Sequence, residues 1–221
     1  MNDQVSRETP PAPPSARGVF SHQLPRAVEF ADLLTHEATV RGLIGPREVP
    51  RLWERHLLNC AALTELIPEG SSVCDIGSGA GLPGIVIAIR RPDIRVTLVE
   101  PLLRRTAFLD LAVSTMDLHN VTVRRGRAEE FHDDAATDGG FDVVTSRAVA
   151  PLDRLARWSL PLVRDGGLLL AMKGSSAQDE LDGARPLVQR LGGVDAGVRV
   201  IDEPWLDHPV RVVAVRRGGK A

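Results

Sequence analysis

Apolar positions change their spacing near residue 70 of the chain. Over residues 26–43 and 49–66 they recur every three or four positions, which predicts two helices that each have one apolar face. We expect Gly45-Pro46 and Pro68-Glu69-Gly70 to end these helices. Residues 1–25 contain five prolines and few large apolar side chains, so burial cannot offset the entropy lost on ordering. We predict a disordered tail there.

Beyond residue 70, short β-branched segments alternate with helical ones. Strands are predicted at residues 72–76, 96–100, 121–123, 141–146 and 167–172, and helices after the first strand and over 105–116, 152–163 and 178–191. Strands separated by helices imply right-handed crossovers and a mostly parallel sheet covered on both faces. The segments 198–201 and 210–215 are joined by a loop too short for a helical crossover, so they should pair antiparallel.

These elements predict an α/β fold, namely a Rossmann-like, mostly parallel seven-stranded sheet with a C-terminal antiparallel hairpin. The 221 residues divide into a disordered tail (1–25), an N-terminal helical extension (26–69), the α/β domain (70–217) and a basic tail (218–221). The hydrophobic share of 43% and the charged share of 25% are ordinary for a globular protein and exclude a disordered chain.

The most informative segment is Asp75-Ile76-Gly77-Ser78-Gly79-Ala80-Gly81-Leu82-Pro83-Gly84, which lies between a predicted strand and a predicted helix. Its glycines permit close approach of a ligand to the backbone, and the helix that follows offers unpaired N–H groups. A nucleotide-like ligand is expected. Residues 79–84 fit the G-x-G-x-x-G pattern of dinucleotide-binding proteins, with Glu100 as the ribose ligand, so an oxidoreductase stays an alternative.

Asp75, the acid before the first glycine, favours a different ligand. An acid at this position is typical of class I S-adenosylmethionine-dependent methyltransferases, where it can meet the positive amino end of the methionine moiety, whereas it would repel a pyrophosphate. Glu100 would then accept hydrogen bonds from the adenosine ribose hydroxyls. We therefore expect a class I methyltransferase fold.

The absence of two motifs narrows the range of possible methyl acceptors. The strand over 141–146 is not followed by the Asn/Asp-Pro-Pro-aromatic motif of enzymes that methylate exocyclic amines. Enzymes that methylate a pyrimidine carbon need a cysteine nucleophile near the end of this strand. Cys60 and Cys74 both come before the glycine loop, so neither suits that role. A ring nitrogen with a free lone pair needs neither device, because it can attack the methyl group directly once aligned.

Composition excludes several other classes. The formal net charge of −2 excludes nucleic-acid binding by bulk charge. The two cysteines cannot form a disulfide framework, and the six scattered histidines show no metal-binding pair, so no metal is expected. The chain lacks an apolar run of the roughly 20 residues that span a bilayer, and it lacks a signal-type N-terminus. A cytoplasmic protein with no membrane contact is expected.

Five motifs occur in a fixed order: Arg55-His56-Leu57-Leu58-Asn59-Cys60, the glycine loop extended to Ile85, Arg127-Ala128-Glu129-Glu130, Ser146-Arg147-Ala148 and Lys173-Gly174. Together they resemble the bacterial ribosomal RNA small-subunit methyltransferase G family, also called glucose-inhibited division protein B. The resemblance covers residues 27–215. It implies methyl transfer from S-adenosylmethionine to N7 of one guanosine in the 530 loop region of 16S rRNA, with S-adenosylhomocysteine as the product.

Site residues follow partly from the resemblance and partly from the glycine loop. The resemblance implies cofactor contacts at Gly77, Leu82, Ala128, Glu129 and Arg147, and the loop and the strand after it add Gly79 and Glu100. Contacts with the RNA are expected at Lys173, Arg55 and His56, whereas no catalytic residue is assigned. Whether Arg147 contacts the cofactor or the RNA stays open. Gly42-Leu43-Ile44-Gly45 stands where many family members have an Asn-Leu-Thr segment, which leaves the role of that segment open as well.

Charge is unevenly distributed despite the small total. Residues 90–127 contain eight arginines and four acids, and the C-terminus adds Arg211, Arg216, Arg217 and Lys220. We expect a monomer that recognises 16S rRNA or the assembling small ribosomal subunit through local positive charge and RNA shape. The alternative acceptor is a small molecule, which would require an apolar pocket under the N-terminal helices.

Overall fold

A seven-stranded sheet organises the part of the chain that the computed structural model describes, residues 8–132 and 139–219. The strands are β1 (Ser72–Ile76), β2 (Arg95–Glu100), β3 (Val121–Arg125), β4 (Phe141–Arg147), β5 (Val163–Lys173), β6 (Gly193–Ile201) and β7 (Val210–Arg217). Their order across the sheet is β3-β2-β1-β4-β5-β7-β6. The first five strands are parallel, and β7 pairs antiparallel with both β5 and β6. The predicted sheet and its C-terminal hairpin are confirmed.

Helices cover both faces of the sheet. The α-helices are α1 (Pro14–Phe20), α2 (Leu24–Leu33), α3 (Asn59–Ala62), α4 (Gly84–Arg90), α5 (Leu103–Thr115), α6 (Leu152–Ser159) and α7 (Ala177–Arg190). The helix predicted over 152–163 is shorter, because Leu160–Leu162 forms a 3-10 turn and Val163 already begins β5. One face packs against α4, α5 and the N-terminal helices, and the other against α6 and α7.

The N-terminal extension forms two helical segments, as predicted, but with irregular turns. The α2 helix continues as a π-helical turn over Leu34–Ala38. The second segment passes from a 3-10 turn (Pro46–Arg51) through a π-helical stretch (Leu52–Leu58) into α3 and a final 3-10 turn (Leu63–Leu66). Phe30, Leu52 and Leu57 are fully buried in the same core as α4, so the extension is part of the α/β domain's packing.

The predicted disordered tail is wrong for the described residues 8–25. Pro14 begins α1, where the fixed φ of proline and its missing N–H suit the first turn of a helix. Ala16 and Phe20 lie on the inner face of that helix and are buried. The Trp53 indole N–H donates to the carbonyl of Pro10 at 2.9 Å, and its ring meets Phe20 edge-on at 6.3 Å between centroids. Residues 1–7, and residues 220–221 of the basic tail, lie outside the described residues.

All five parallel strands end at the same edge of the sheet, and this separates the arginines that the sequence groups together. Arg90 ends α4 and Arg95 begins β2, which places them at the opposite, amino edge. Arg104, Arg125 and Arg127 are exposed at the carboxyl edge. The predicted positive surface is therefore two separate groups, and only the second lies beside the glycine loop.

The burial of Phe20 predicts that the N-terminal segment stabilises the fold. We expect Phe20→Ala to lower the free energy of unfolding by about 3–5 kcal/mol, the usual cost of truncating a buried Phe. Val40→Ala is the matched control, because Val40 is 87% exposed and its truncation should change the value by less than about 0.5 kcal/mol. Urea denaturation of both variants measures the difference. Equal stabilities would mean that residues 8–25 do not contribute to the core.

Candidate active site

The glycine loop that follows β1 forms one wall of a cavity at the carboxyl edge of the sheet. Gly77 has a φ of +68°, in the left-handed region that side chains disfavour. A Cβ atom on Gly77 would lie 2.8 Å from Cγ2 of Val149, so only glycine lets the two segments approach this closely. The loop leads directly into α4, as the sequence predicts.

Asp75 lies behind this loop rather than on the cavity wall. Its side chain is fully buried, and Oδ2 accepts a hydrogen bond from the Gly84 N–H at 3.0 Å. Oδ1 has no hydrogen-bond partner in the described part of the chain. Burial raises the pKa of Asp75 to about 7, and the nearby charge of Glu100 adds to the rise. The sequence predicted that Asp75 contacts a bound ligand. In the structure its side chain instead links β1 to the start of α4.

Glu100 ends β2 and reaches the cavity wall. Its side chain is 1% exposed. Oε2 accepts from the Gly79 N–H at 3.1 Å, Oε1 accepts from the Leu102 N–H at 3.1 Å, and Arg105 Nη1 lies 3.4 Å from Oε2. Each carboxylate oxygen has two lone pairs, so Oε2 is fully used by these donors and Oε1 can accept one more hydrogen bond from a ligand.

The cavity has a volume of about 770 Å³ and brings together every residue that the sequence assigns to the cofactor. Its walls include Gly77, Gly79, Leu82, Glu100, Ala128, Glu129 and Arg147. Two of the residues assigned to RNA, Arg55 and His56, line the same cavity. Leu43, Ile44 and Gly45 also lie on its wall, so the segment that departs from the family pattern borders the site.

Arg147 connects the sheet to the N-terminal extension. Its Nη2 donates to the carbonyl of Arg55 at 3.0 Å, and Nη1 lies 3.4 Å from Cys60 Sγ. His56, next to Arg55, is hydrogen-bonded through Nε2 to Glu48 Oε2 at 2.9 Å. Burial and the Arg147 charge lower the pKa of His56 to about 4, although Glu48 acts in the opposite direction. His56 is therefore neutral at pH 7.

Lys173 lies at the end of β5 in a second cavity of about 720 Å³. Arg55, Arg147, Ala148 and Val149 line both cavities, so the two share a wall. The Lys173 ammonium donates to the carbonyl of Ala150 and to Glu180 Oε2, both at 2.7 Å. Lys173 thus lies beside the predicted site but is held by protein groups.

Sequence reasoning missed several residues of these walls. Glu48 and Trp158 line the first cavity, and Glu180 and Asn59 line the second. Glu48 lies eight positions before its partner His56, a spacing that matches no known motif. Glu180 lies seven positions after Lys173, in the next helix. A pairing of this kind depends on the tertiary fold, so the sequence offers no local signal for it.

Two further observations concern residues 8–132 and 139–219. In these segments the helices are too short or too polar to cross a membrane. His, Cys, Asp and Glu side chains of the same segments form no group of three that could bind a metal ion.

Comparison with known proteins agrees with this geometry. Residues 23–206 match the family model described as rRNA small subunit methyltransferase G. A ribosomal RNA small subunit methyltransferase G from Streptomyces avermitilis is 54% identical over 211 residues, which cover 96% of this chain and 87% of the relative. The protein of the same name from Corynebacterium glutamicum is 50% identical over 205 residues, with coverages of 93% and 92%.

Solved structures show a shared fold. A predicted O-methyltransferase from Agrobacterium tumefaciens superimposes with a TM-score of 0.58 at 20% identity, covering 75% of this chain and 82% of the other. Precorrin-6y C5,15-methyltransferase from Geobacter metallireducens gives a TM-score of 0.54 at 18% identity, with coverages of 79% and 91%. The predicted class I methyltransferase fold is confirmed.

The raised pKa of Asp75 predicts how stability depends on pH. The unfolded carboxyl loses its proton near its ordinary pKa of 3.8, whereas the folded one keeps it up to about pH 7. The folded state therefore binds more protons between these values, and the free energy of unfolding must fall as pH rises. Asp75→Asn lacks this titration, so its stability relative to the wild type should rise by about 3 kcal/mol from pH 5 to pH 8.

Asp93→Asn is the control for this measurement. The pKa of Asp93 is about 2, lowered chiefly by its hydrogen bond from Arg91, so the carboxyl is ionised in both states over the same pH range. The stability difference between that variant and the wild type should stay constant. Urea denaturation at pH 5 and pH 8 measures both differences, and a constant difference for Asp75→Asn as well would contradict the assignment.

Proposed function

The chain belongs to the rRNA small subunit methyltransferase G family, and from this membership we propose that it methylates N7 of a guanosine in the 530 loop region of 16S rRNA. S-adenosylmethionine is the proposed methyl donor. The observation that supports this most directly is the pair of adjoining cavities at the carboxyl edge of the sheet, because a methyl transferase must hold a donor and an acceptor side by side.

The residues of the first cavity fit the donor. Gly77 leaves the backbone open to close approach, and the buried Glu100 carboxylate has one lone pair left, on Oε1, for a ribose hydroxyl. Gly79 and Leu82 would hold the donor from the loop side, and Ala128 and Glu129 from the adenine side. When bound, S-adenosylmethionine supplies a methyl group activated by a positively charged sulfur.

The second cavity suits an RNA acceptor better than a small apolar molecule. Its wall includes Arg55, Arg147 and Arg211, besides the ion pair of Lys173 with Glu180. Positive side chains at this density attract a phosphate backbone and are poor walls for an apolar substrate. We further propose that the protein acts as a monomer in the cytoplasm, on 16S rRNA or the assembling small subunit.

Ring N7 as the acceptor agrees with the chemistry of the site. N7 of guanine has a lone pair and no proton, so its methylation requires alignment and no general base. His56 has a pKa of about 4, and its Nε2 donates to the Glu48 carboxylate, which suits a fixed wall residue. Arg147, on the wall between the cavities, is placed to contact either ligand.

Methylation of rRNA by the purified protein tests this proposal. With S-adenosylmethionine and small subunits that lack the modification, we expect one new N7-methylguanosine, located by chemical cleavage at the modified base. Disruption of the gene in the source organism should remove the same site. Methylation at another atom would refute the N7 assignment. If the protein methylates neither these subunits nor free 16S rRNA, the proposed function is refuted.

Gly77→Ala tests the donor site. The added Cβ would collide with Val149 and would strain the left-handed backbone, so we expect S-adenosylhomocysteine to bind at least about tenfold more weakly. Gly18→Ala is the control, because Gly18 lies in α1 and its Cβ would meet no described heavy atom within 4 Å. Calorimetric titration measures both variants. Stabilisation of the wild type by NAD instead would favour an oxidoreductase.

A further inference from the structure

Lys173 and Glu180 form an ion pair at the rim of the second cavity. Lys173 Nζ lies 2.7 Å from Glu180 Oε2, and their side chains are 9% and 27% exposed. Although burial alone would raise it, the pKa of Glu180 is lowered overall, because Lys173 and the Leu152 N–H both donate to the carboxylate. Such a pair is shielded from solvent, so it holds its geometry better than an exposed pair.

This ion pair is attached to the loop between β4 and α6, residues 148–151, which we call the wall loop. Lys173 also donates to the carbonyl of Ala150 at 2.7 Å. Glu180 Oε2 accepts from the N–H of Leu152, the first residue of α6, at 3.1 Å. The two charged groups therefore hold the chain on each side of Pro151, at Ala150 within the wall loop and at Leu152 directly after it.

The wall loop touches both cavities. Ala148 and Val149 line each of them, and the Val149 side chain packs against Gly77. Arg147 fixes the start of the loop through its bond to the Arg55 carbonyl. Ala148 has a φ of +54°, a strained conformation for a residue with a side chain, which persists only where neighbouring contacts enforce it.

We propose that Lys173 and Glu180 are positioning residues, which hold the wall loop so that donor and acceptor are aligned. This inference rests on the proposed function. It assigns Lys173 a role different from direct contact with RNA, because two of its three N–H donors already bond protein oxygens. Glu180 gains a role that the family motifs do not give it, since its charge keeps Lys173 on the loop.

The two roles for Lys173 predict different effects of Glu180→Gln, a loss of activity if Lys173 positions the loop and no change if it contacts RNA. If Lys173 positions the loop, E180Q and K173M should both lower kcat about 10- to 100-fold, because misplacing a site by about 1 Å has effects of this size. The KM for rRNA should change less than about threefold, since alignment and not binding is lost. The double variant should be no worse than either single variant, because both substitutions remove one unit.

Asp182→Asn is the matched control. Asp182 lies on the same helix, α7, and bonds only Gln178 and Arg185 among the described residues, so its loss removes an ion pair without touching the wall loop. Its kcat should equal that of the wild type. Thermal unfolding of all variants identifies any that are simply unfolded, and E180Q, which preserves side-chain volume, keeps the test available if K173M does not fold.

Hydrogen exchange supplies a readout that does not depend on activity. The amides of Ala150 and Leu152, which flank Pro151, should exchange faster in K173M and E180Q than in the wild type and in D182N. If K173M raises the KM for rRNA while E180Q leaves kcat and exchange unchanged, Lys173 contacts RNA directly and the inference is wrong. If the exchange rises as expected but the wild type methylates no rRNA, the ion pair does hold the loop and the proposed function has failed.

Discussion

Two buried carboxylates hold the glycine loop, and the geometry of the site depends on them. Asp75 accepts from the N–H of Gly84 at one end of the loop, and Glu100 accepts from the N–H of Gly79 in its middle. Burial makes the Asp75 charge costly and the nearby Glu100 charge adds to that cost, so the pKa of Asp75 rises to about 7. Arg105 accompanies Glu100, the acid that lines the cavity. Asp75 therefore holds the loop from the core side, and Glu100 holds it from the cavity side.

The N-terminal extension is part of the site because it supplies the remaining wall of the first cavity. The glycine loop and the carboxyl ends of the strands form only part of the first cavity, and Glu48, Arg55 and His56 complete it from the extension. That segment is packed in turn by Phe20 and by the bond from Trp53 to Pro10. Residues more than 30 positions before Arg55 thus influence where the cavity wall lies.

Sequence reasoning predicted the sheet, the hairpin and the glycine loop, because these follow from local periodicity and a motif of defined context. The seven residues that it assigned to the cofactor also line the first cavity, although it missed Glu48 and Trp158. It failed where the same type of residue is compatible with two different structural roles. Prolines near the N-terminus indicated disorder, yet Pro14 begins a helix. The acid Asp75 indicated ligand contact, yet its side chain points into the core. The arginines of residues 90–127 indicated one surface, yet α4 and the sheet place Arg90 and Arg104 at opposite edges.

The choice of lysine at position 173 has a physical reason in the structure. The chain has 25 arginines and only two lysines, so a lysine in the site is unusual for this sequence. At 9% exposure Lys173 must satisfy one carbonyl and one carboxylate from a single nitrogen. A compact ammonium does this with rotatable donors, whereas the planar guanidinium of arginine places five donors in a rigid fork and needs more space. Arginine suits exposed positions, and lysine suits the enclosed point where β5, the wall loop and α7 meet.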